Sequence, residues 1–178
     1  MKLIQHLKTV HHHRALVRKY CFRLGLYWQG LTHDLSKYSW TELRVGAKYF
    51  QGDRSPNDAE RRTTGLSTAW LHHKGRNRHH LEYWIDYSLE CGMNMAGIEM
   101  PARYVAEMFC DRVAASQTYR KSAYTNEDPY IYFQNSLSHY IIHPKTAALL
   151  ERMLLVLKEQ GEDAAFRYIR KEILGKSR

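Results

Sequence analysis

The sequence predicts an all-α protein, a single domain (1–178) of about seven to nine helices. Three observations carry that reading. Apolar residues recur every three or four positions through most of the chain. Gly and Pro fall mostly where those runs end, and no stretch shows the strict alternation of a half-buried strand. At 178 residues the chain is long enough to bury one sizeable core.

Leu3, Leu7, Val10, His13, Val17, Tyr20 or Cys21, and Leu24 form the stripe of a first helix, stopped by Gly25. A shorter helix is expected from about Leu26 to Lys37. Ser39-Trp-Thr-Glu42 has the capping-box pattern and opens a third helix that ends near Gly52. QGDRSPND reads as a loop. Ser55 as N-cap and Pro56 at the first helical position then start a helix carrying Leu66, Trp70 and His73 on one side, as far as Gly75.

The next stripe is His80, Tyr83, Trp84, Tyr87 and Cys91, closed by Gly92. MNMAGIEM connects it to a helix running from Pro101 to about Tyr119. Asp128-Pro129 and His143-Pro144 open two more, and a last helix covers roughly residues 163–174. The helices of the 129–175 region are expected to pack on the motif-bearing part, about residues 1–120.

The net charge of +9 favours anionic partners, either phosphorylated small molecules or nucleic acid. Cys21, Cys91 and Cys110 form no CxxC pair and leave an odd thiol, as expected of a reduced cytoplasmic chain. MKLIQHLKTVHHHR is too polar for a signal segment, and no run of 18 apolar residues occurs. The expectation is therefore no membrane partner.

Chemistry concentrates in four places. In GLTHDLSKYSWTEL, His33 and Asp34 stand side by side in an apolar run, where burial is costly unless something binds them. Either a metal ion does so, or the two are a buried hydrogen-bonded couple. Imidazole with carboxylate suits Mn, Fe, Co, Ni or Zn. Lys37 falls on the same side, placed to hold a substrate phosphate.

His13 lies on the buried stripe of the first helix, where a neutral imidazole needs a partner, whereas His11 and His12 fall off it. Asp111 shares an apolar helix face with Tyr104, Met108 and Ala115, so its carboxylate points inward and needs a cation. HHKGRNRHH, residues 72 to 80, holds two histidine pairs around a basic turn. His73 and His80 continue apolar stripes, while His72 and His79 look more exposed. This is either a solvated basic turn or a second metal position, with Arg76 and Arg78 gripping phosphate.

The order His13, His33-Asp34, a histidine group and then Asp111, all on helices, resembles the HD-domain superfamily of metal-dependent phosphohydrolases. HDLSK parallels the HD-x-[GS]-K form of its motif, and His13-Arg-Ala-Leu-Val17 its first-histidine helix. QGLTHDLSKYSWTE and HHKGRNRHHLEYW are similar to blocks of an uncharacterised bacterial and phage family grouped with HD-like folds. The resemblance implies an HD-like helical bundle with one or two divalent transition-metal ions. His13, His33, Asp34 and Asp111 would hold the first. One histidine from each of the 72–73 and 79–80 pairs, His73 and His80 on the stripe reading, would hold a second, with Asp34 bridging. Only six residues divide His73 from His79, closer than in two-metal members, which leaves open a substrate role for one pair.

The expected function is hydrolysis of a phosphorylated, nucleotide-like small molecule, with Asp34, Lys37 and Asp111 catalytic and Lys37, Arg76 and Arg78 on substrate. Two alternatives stay open. One is a di-iron oxygenase with the same ligand order. The other is a non-catalytic protein that binds nucleic acid or a partner through its basic, aromatic surface. A homo-oligomer is compatible with either.

Overall fold

In the computed structural model, which describes residues 2–52, 54–90, 92 and 94–176, the first stripe becomes helix α1, Lys2–Arg23. Its buried residues are His6, Val10, His13, Val17, Tyr20 and Cys21, a spacing that lines one face. Gly25, at a φ of +67°, ends it.

The helix expected from Leu26 to Lys37 is broken at the His-Asp pair. Helix α2 covers only Tyr27–Thr32, and a 3-10 turn follows at Leu35–Tyr38. Between them His33 is extended (φ −48°, ψ 126°) and Asp34 is left-handed (φ 55°, ψ 26°). Aspartate tolerates that conformation better than most residues. Arg14 of α1 fixes the turn, its Nε donating to the His33 carbonyl at 2.8 Å and Nη2 to that of Leu31 at 3.2 Å. It thereby satisfies carbonyls that the helix end leaves open.

Helix α3 spans Trp40–Tyr49, and the Glu42 amide donates to Ser39 Oγ at 3.4 Å, the first half of the capping box. The helix expected from Pro56 to Gly75 is two, α4 (Pro56–Thr64) and α5 (Thr68–Lys74). Gly65, at a φ of +84°, stops α4, and Ser67 restarts the chain by accepting from the Trp70 amide at 3.0 Å.

The stripe from His80 onward is not an α-helix. It forms a 3-10 turn, Leu81–Trp84, then strand β1, Ile85–Ser88, paired antiparallel with β2, Asn94–Gly97. Ile85 and Tyr87 suit a strand as well as a stripe. Ile85 opposes Gly97 in the register, and a Cβ at Gly97 would lie 2.5 Å from the His143 backbone nitrogen. Only glycine permits that approach. Cys91, the last residue of the stripe, and Asp53 of QGDRSPND lie outside the described residues.

Helices α6 (Ala102–Arg120), α7 (Asp128–Leu137), α8 (Pro144–Gln160) and α9 (Glu162–Tyr168), the last continued by a π turn at Ile169–Ile173, complete the chain. Among the described residues the architecture is thus nine α-helices and one two-stranded sheet, a mainly α single domain.

The apolar core joins Val17 and Cys21 of α1, and Leu24 just after it, to Phe109 and Val113 of α6, Leu150, Leu154 and Leu157 of α8, and Phe166 of α9. The C-terminal helices therefore build the core rather than merely covering it. Arg23 reinforces them by pairing with Glu162 and, at 2.7 Å, with Asp163. Among the described residues no helix is long and apolar enough to cross a membrane.

Candidate metal centre

Four stretches of chain bring titratable side chains to one place beside the core. Helix α1 supplies His13, the turn after α2 supplies His33 and Asp34, α5 and the segment after it supply His73, His79 and His80, and α6 supplies Glu107 and Asp111. The break at residues 33 and 34 lets adjacent side chains converge, which a continuous helix would have splayed by about 100°. On α6, Glu107 and Asp111 are four residues apart and so share a face.

Three groups form, the two larger ones sharing Asp34: first His13, His33, Asp34 and Asp111; second Asp34, His73, His79 and His80; third His33, His79 and Glu107. In each, one nitrogen or oxygen per residue lies within 4.8 Å of all the others. Asp34 Oδ2 faces the first group, 3.5 Å from His33 Nε2 and 3.9 Å from His13 Nε2. Asp111 Oδ1 is 3.0 Å from His13 Nε2 and 3.5 Å from His33 Nε2. Asp34 Oδ1 faces the second, 3.2 Å from His73 Nε2 and 3.5 Å from His79 Nε2. The His80 ring lies 4.1 Å from that of His79 and 4.8 Å from that of His73.

His33, His73 and His79 meet carboxylates through Nδ1, while several atoms on the inner side lack an aligned partner. His33 Nδ1 hydrogen-bonds Glu107 Oε1 at 3.0 Å, and His73 Nδ1 bonds Glu42 Oε2 at 2.8 Å. His13 Nε2, His33 Nε2, Asp34 Oδ1, His79 Nε2 and His80 Nε2, by contrast, are buried with no aligned hydrogen-bond partner. Apart from nitrogens of Arg112 and Arg170, these are all the described side-chain atoms in that condition. Each such atom costs roughly 1–3 kcal/mol unless something else occupies it. Four imidazole nitrogens and one carboxylate oxygen gathered in this way could hold a divalent transition metal.

Charge within the cluster is set by proximity. Burial alone would push the Asp34 carboxyl up, but His33, Lys37 and His73 outweigh it and hold it well below the ordinary carboxylate range. Burial opposes protonation of His33, yet Asp34, Asp111 and Glu107 raise its pKa well above the usual value. His80 goes the other way. Burial, then the neighbouring His79 and His73, keep it a neutral imidazole with a free lone pair. Burial likewise lowers His13.

The expected site residues separate accordingly. His13, His33, Asp34, His73, His80 and Asp111 are brought together. Lys37 joins them, its Nζ 3.0 Å from Asp34 Oδ2. Arg76 and Arg78 do not: both are exposed, the first donating to the His72 carbonyl at 3.1 Å and the second to the Tyr104 hydroxyl at 3.2 Å. His79, expected at the surface, is buried, because the chain after Asn77 is not helical and the stripe extrapolated back from Tyr83 does not apply. His72 is the outer member of its pair, 2.7 Å from Glu42 Oε1.

Glu42 and Glu107 escaped the sequence reading. The capping-box pattern accounts for Glu42 in the sequence, whereas in the structure its carboxylate turns to His72 and His73. Glu107 could have been found as the residue one turn before Asp111 on the same face.

No curated protein and no solved structure matches this chain. A family profile does: it covers residues 2–156, most of α1 through α8, and is described only as a family of unknown function. The chain with this buried histidine–aspartate cluster belongs to that family, DUF5662.

Proposed function

We propose that this protein is a metal-dependent phosphohydrolase that holds two divalent transition-metal ions and acts on a phosphorylated, nucleotide-like small molecule. The observation that carries the proposal is the set of five buried, unpartnered atoms aimed at one another from His13, His33, Asp34, His79 and His80. His13, His33, Asp34 and Asp111 would hold one ion, and Asp34, His73, His79 and His80 the other. Ions of the Mn, Fe, Co, Ni and Zn group supply Lewis acidity toward a phosphoryl oxygen and acidify water.

The chain's own groups divide the remaining work. Asp111 and Lys37, with side chains 18% and 27% exposed, are partly reached by solvent, as is His80, so a substrate phosphate can meet Lys37 beside Asp111. Burial weakens a charged Lys37, but Asp34 more than compensates and its ammonium is held protonated through the neutral range. A fixed cation there binds a phosphoryl oxygen and offsets charge that grows in the transition state. Burial would raise the Asp111 pKa, but His13 and His33 depress it, so Asp111 is an ionised carboxylate able to accept a hydrogen bond from the attacking water and orient it. The net charge of +9 adds a long-range pull on anionic substrates.

The test is phosphate release from a panel of nucleotides and other phosphomonoesters after loading with Mn²⁺, Co²⁺ or Zn²⁺. Metal-stimulated release should stop with chelator. Lys37→Ala should lower kcat/KM roughly tenfold to a hundredfold, the value of a hydrogen bond to a charged group. A panel on which no metal raises hydrolysis above background sinks the proposal.

A further inference from the structure

We infer that Glu107 is a positioning residue shared by both ion sites, whereas Glu42 serves the second site alone. The inference rests on the two-ion reading, in which Glu42 and Glu107 ligate neither ion, and it assigns the close group of His33, His79 and Glu107 to hydrogen bonding through the Nδ1 atoms.

Glu107 Oε1 lies 3.0 Å from His33 Nδ1 and 3.1 Å from His79 Nδ1. His33 belongs to the first group and His79 to the second. A carboxylate oxygen has two lone pairs, and here two ring nitrogens meet it. A ring that donates from Nδ1 to a carboxylate has its tautomer fixed, and its Nε2 lone pair is left facing inward. In both rings Nε2 is the buried atom without a partner. The two rings are also in close, tilted contact, with centroids 4.3 Å apart and planes at 34°, so neither turns without disturbing the other. Glu107 is itself buried on α6, one turn before Asp111, which ties its position to that of a further first-site residue.

Glu42 is built differently. Its Oε2 meets His73 Nδ1 at 2.8 Å and its Oε1 meets His72 Nδ1 at 2.7 Å. Of those two rings only His73 belongs to a cluster, the second. One carboxylate therefore spans two sites and the other supports one.

Carboxylates that orient metal-bound histidines are worth about 10–100-fold in metal affinity. Glu107→Gln keeps the shape and an acceptor but removes the charge, so it should weaken both ions by that factor. Glu42→Gln should weaken one and leave the other within about threefold, a margin set against that same 10–100-fold scale. The measurement is Co²⁺ titration of the metal-free full chain, followed by calorimetry and by the visible absorption of bound cobalt.

Two weakened sites in Glu107→Gln and one in Glu42→Gln support the inference. One weakened site or none in Glu107→Gln overturns it, while leaving the two-ion reading intact if wild type binds two ions. A wild type that binds fewer than two removes that reading and this inference together. Should Glu107→Gln fail to fold, zinc-loaded wild type decides by long-range ¹H–¹⁵N NMR. Protons on Nδ1 of both His33 and His79 are expected, and a proton on Nε2 of either overturns the inference.

Discussion

Two interiors meet along α1. Its last turns place Val17 and Cys21, with Leu24 just beyond the helix, among Phe109, Leu154 and Phe166, while its middle places His13 against Asp34 and Asp111. The apolar interior is complete as it stands, since its side chains need only one another. The polar interior is not, because its inward atoms lack partners. A helix that carries both must hold the second in register with the first. The core thus acts as the rigid support that a multi-ligand site needs.

The comparison is broken most severely at Asp34, the residue common to both ion groups. Asp34→Ala removes an oxygen from each, so metal content should fall from about two ions to none and hydrolysis to background. Plasma emission analysis and the phosphate assay read this, and wild-type metal content in the variant would contradict it.

The apolar side should respond in the opposite sense. Leu154 is fully buried, and Leu154→Ala should cost about 2–5 kcal/mol in urea unfolding while metal stoichiometry stays at the wild-type value.

A smaller effect separates a satisfied buried carboxylate from an unsatisfied one. Glu60 is buried like Asp34, but it accepts from Ser67 Oγ at 2.5 Å, Thr68 Oγ1 at 2.9 Å and the Ala69 amide at 3.4 Å. Burial alone would raise its pKa, and these donors reverse the sign and lower it. A depressed folded-state pKa means stability that is present above the unfolded carboxyl pKa, about 4.3, and lost as pH falls through the folded value. Glu60→Gln should therefore be less stable than wild type at neutral pH, with the gap closing on acidification and no change in metal uptake. A gap that is constant with pH would contradict this.

Much of this was legible in the sequence, for identifiable reasons. Helix starts with a physical marker (Ser55-Pro56, Asp128-Pro129, His143-Pro144) fall where expected, and so does the stripe that carries His13 inward. Asp111 was readable because a carboxylate on an apolar face stands out.

What the sequence hid depends on backbone breaks and on residues with two plausible partners. The left-handed Asp34 has no glycine to announce it. Tyr and Trp from residue 83 onward suit a helix stripe and a strand alike, which concealed both the hairpin and the burial of His79. Glu42 satisfied one pattern so well that its second partner went unseen.

The central claim is that the polar interior is completed by metal. Elemental analysis of protein purified without a metal-affinity tag, after dialysis, tests it most directly. About two equivalents of transition metal per chain, one for each group around Asp34, are predicted. A folded, metal-free chain that takes up no Mn²⁺, Fe²⁺, Co²⁺, Ni²⁺ or Zn²⁺ would contradict it.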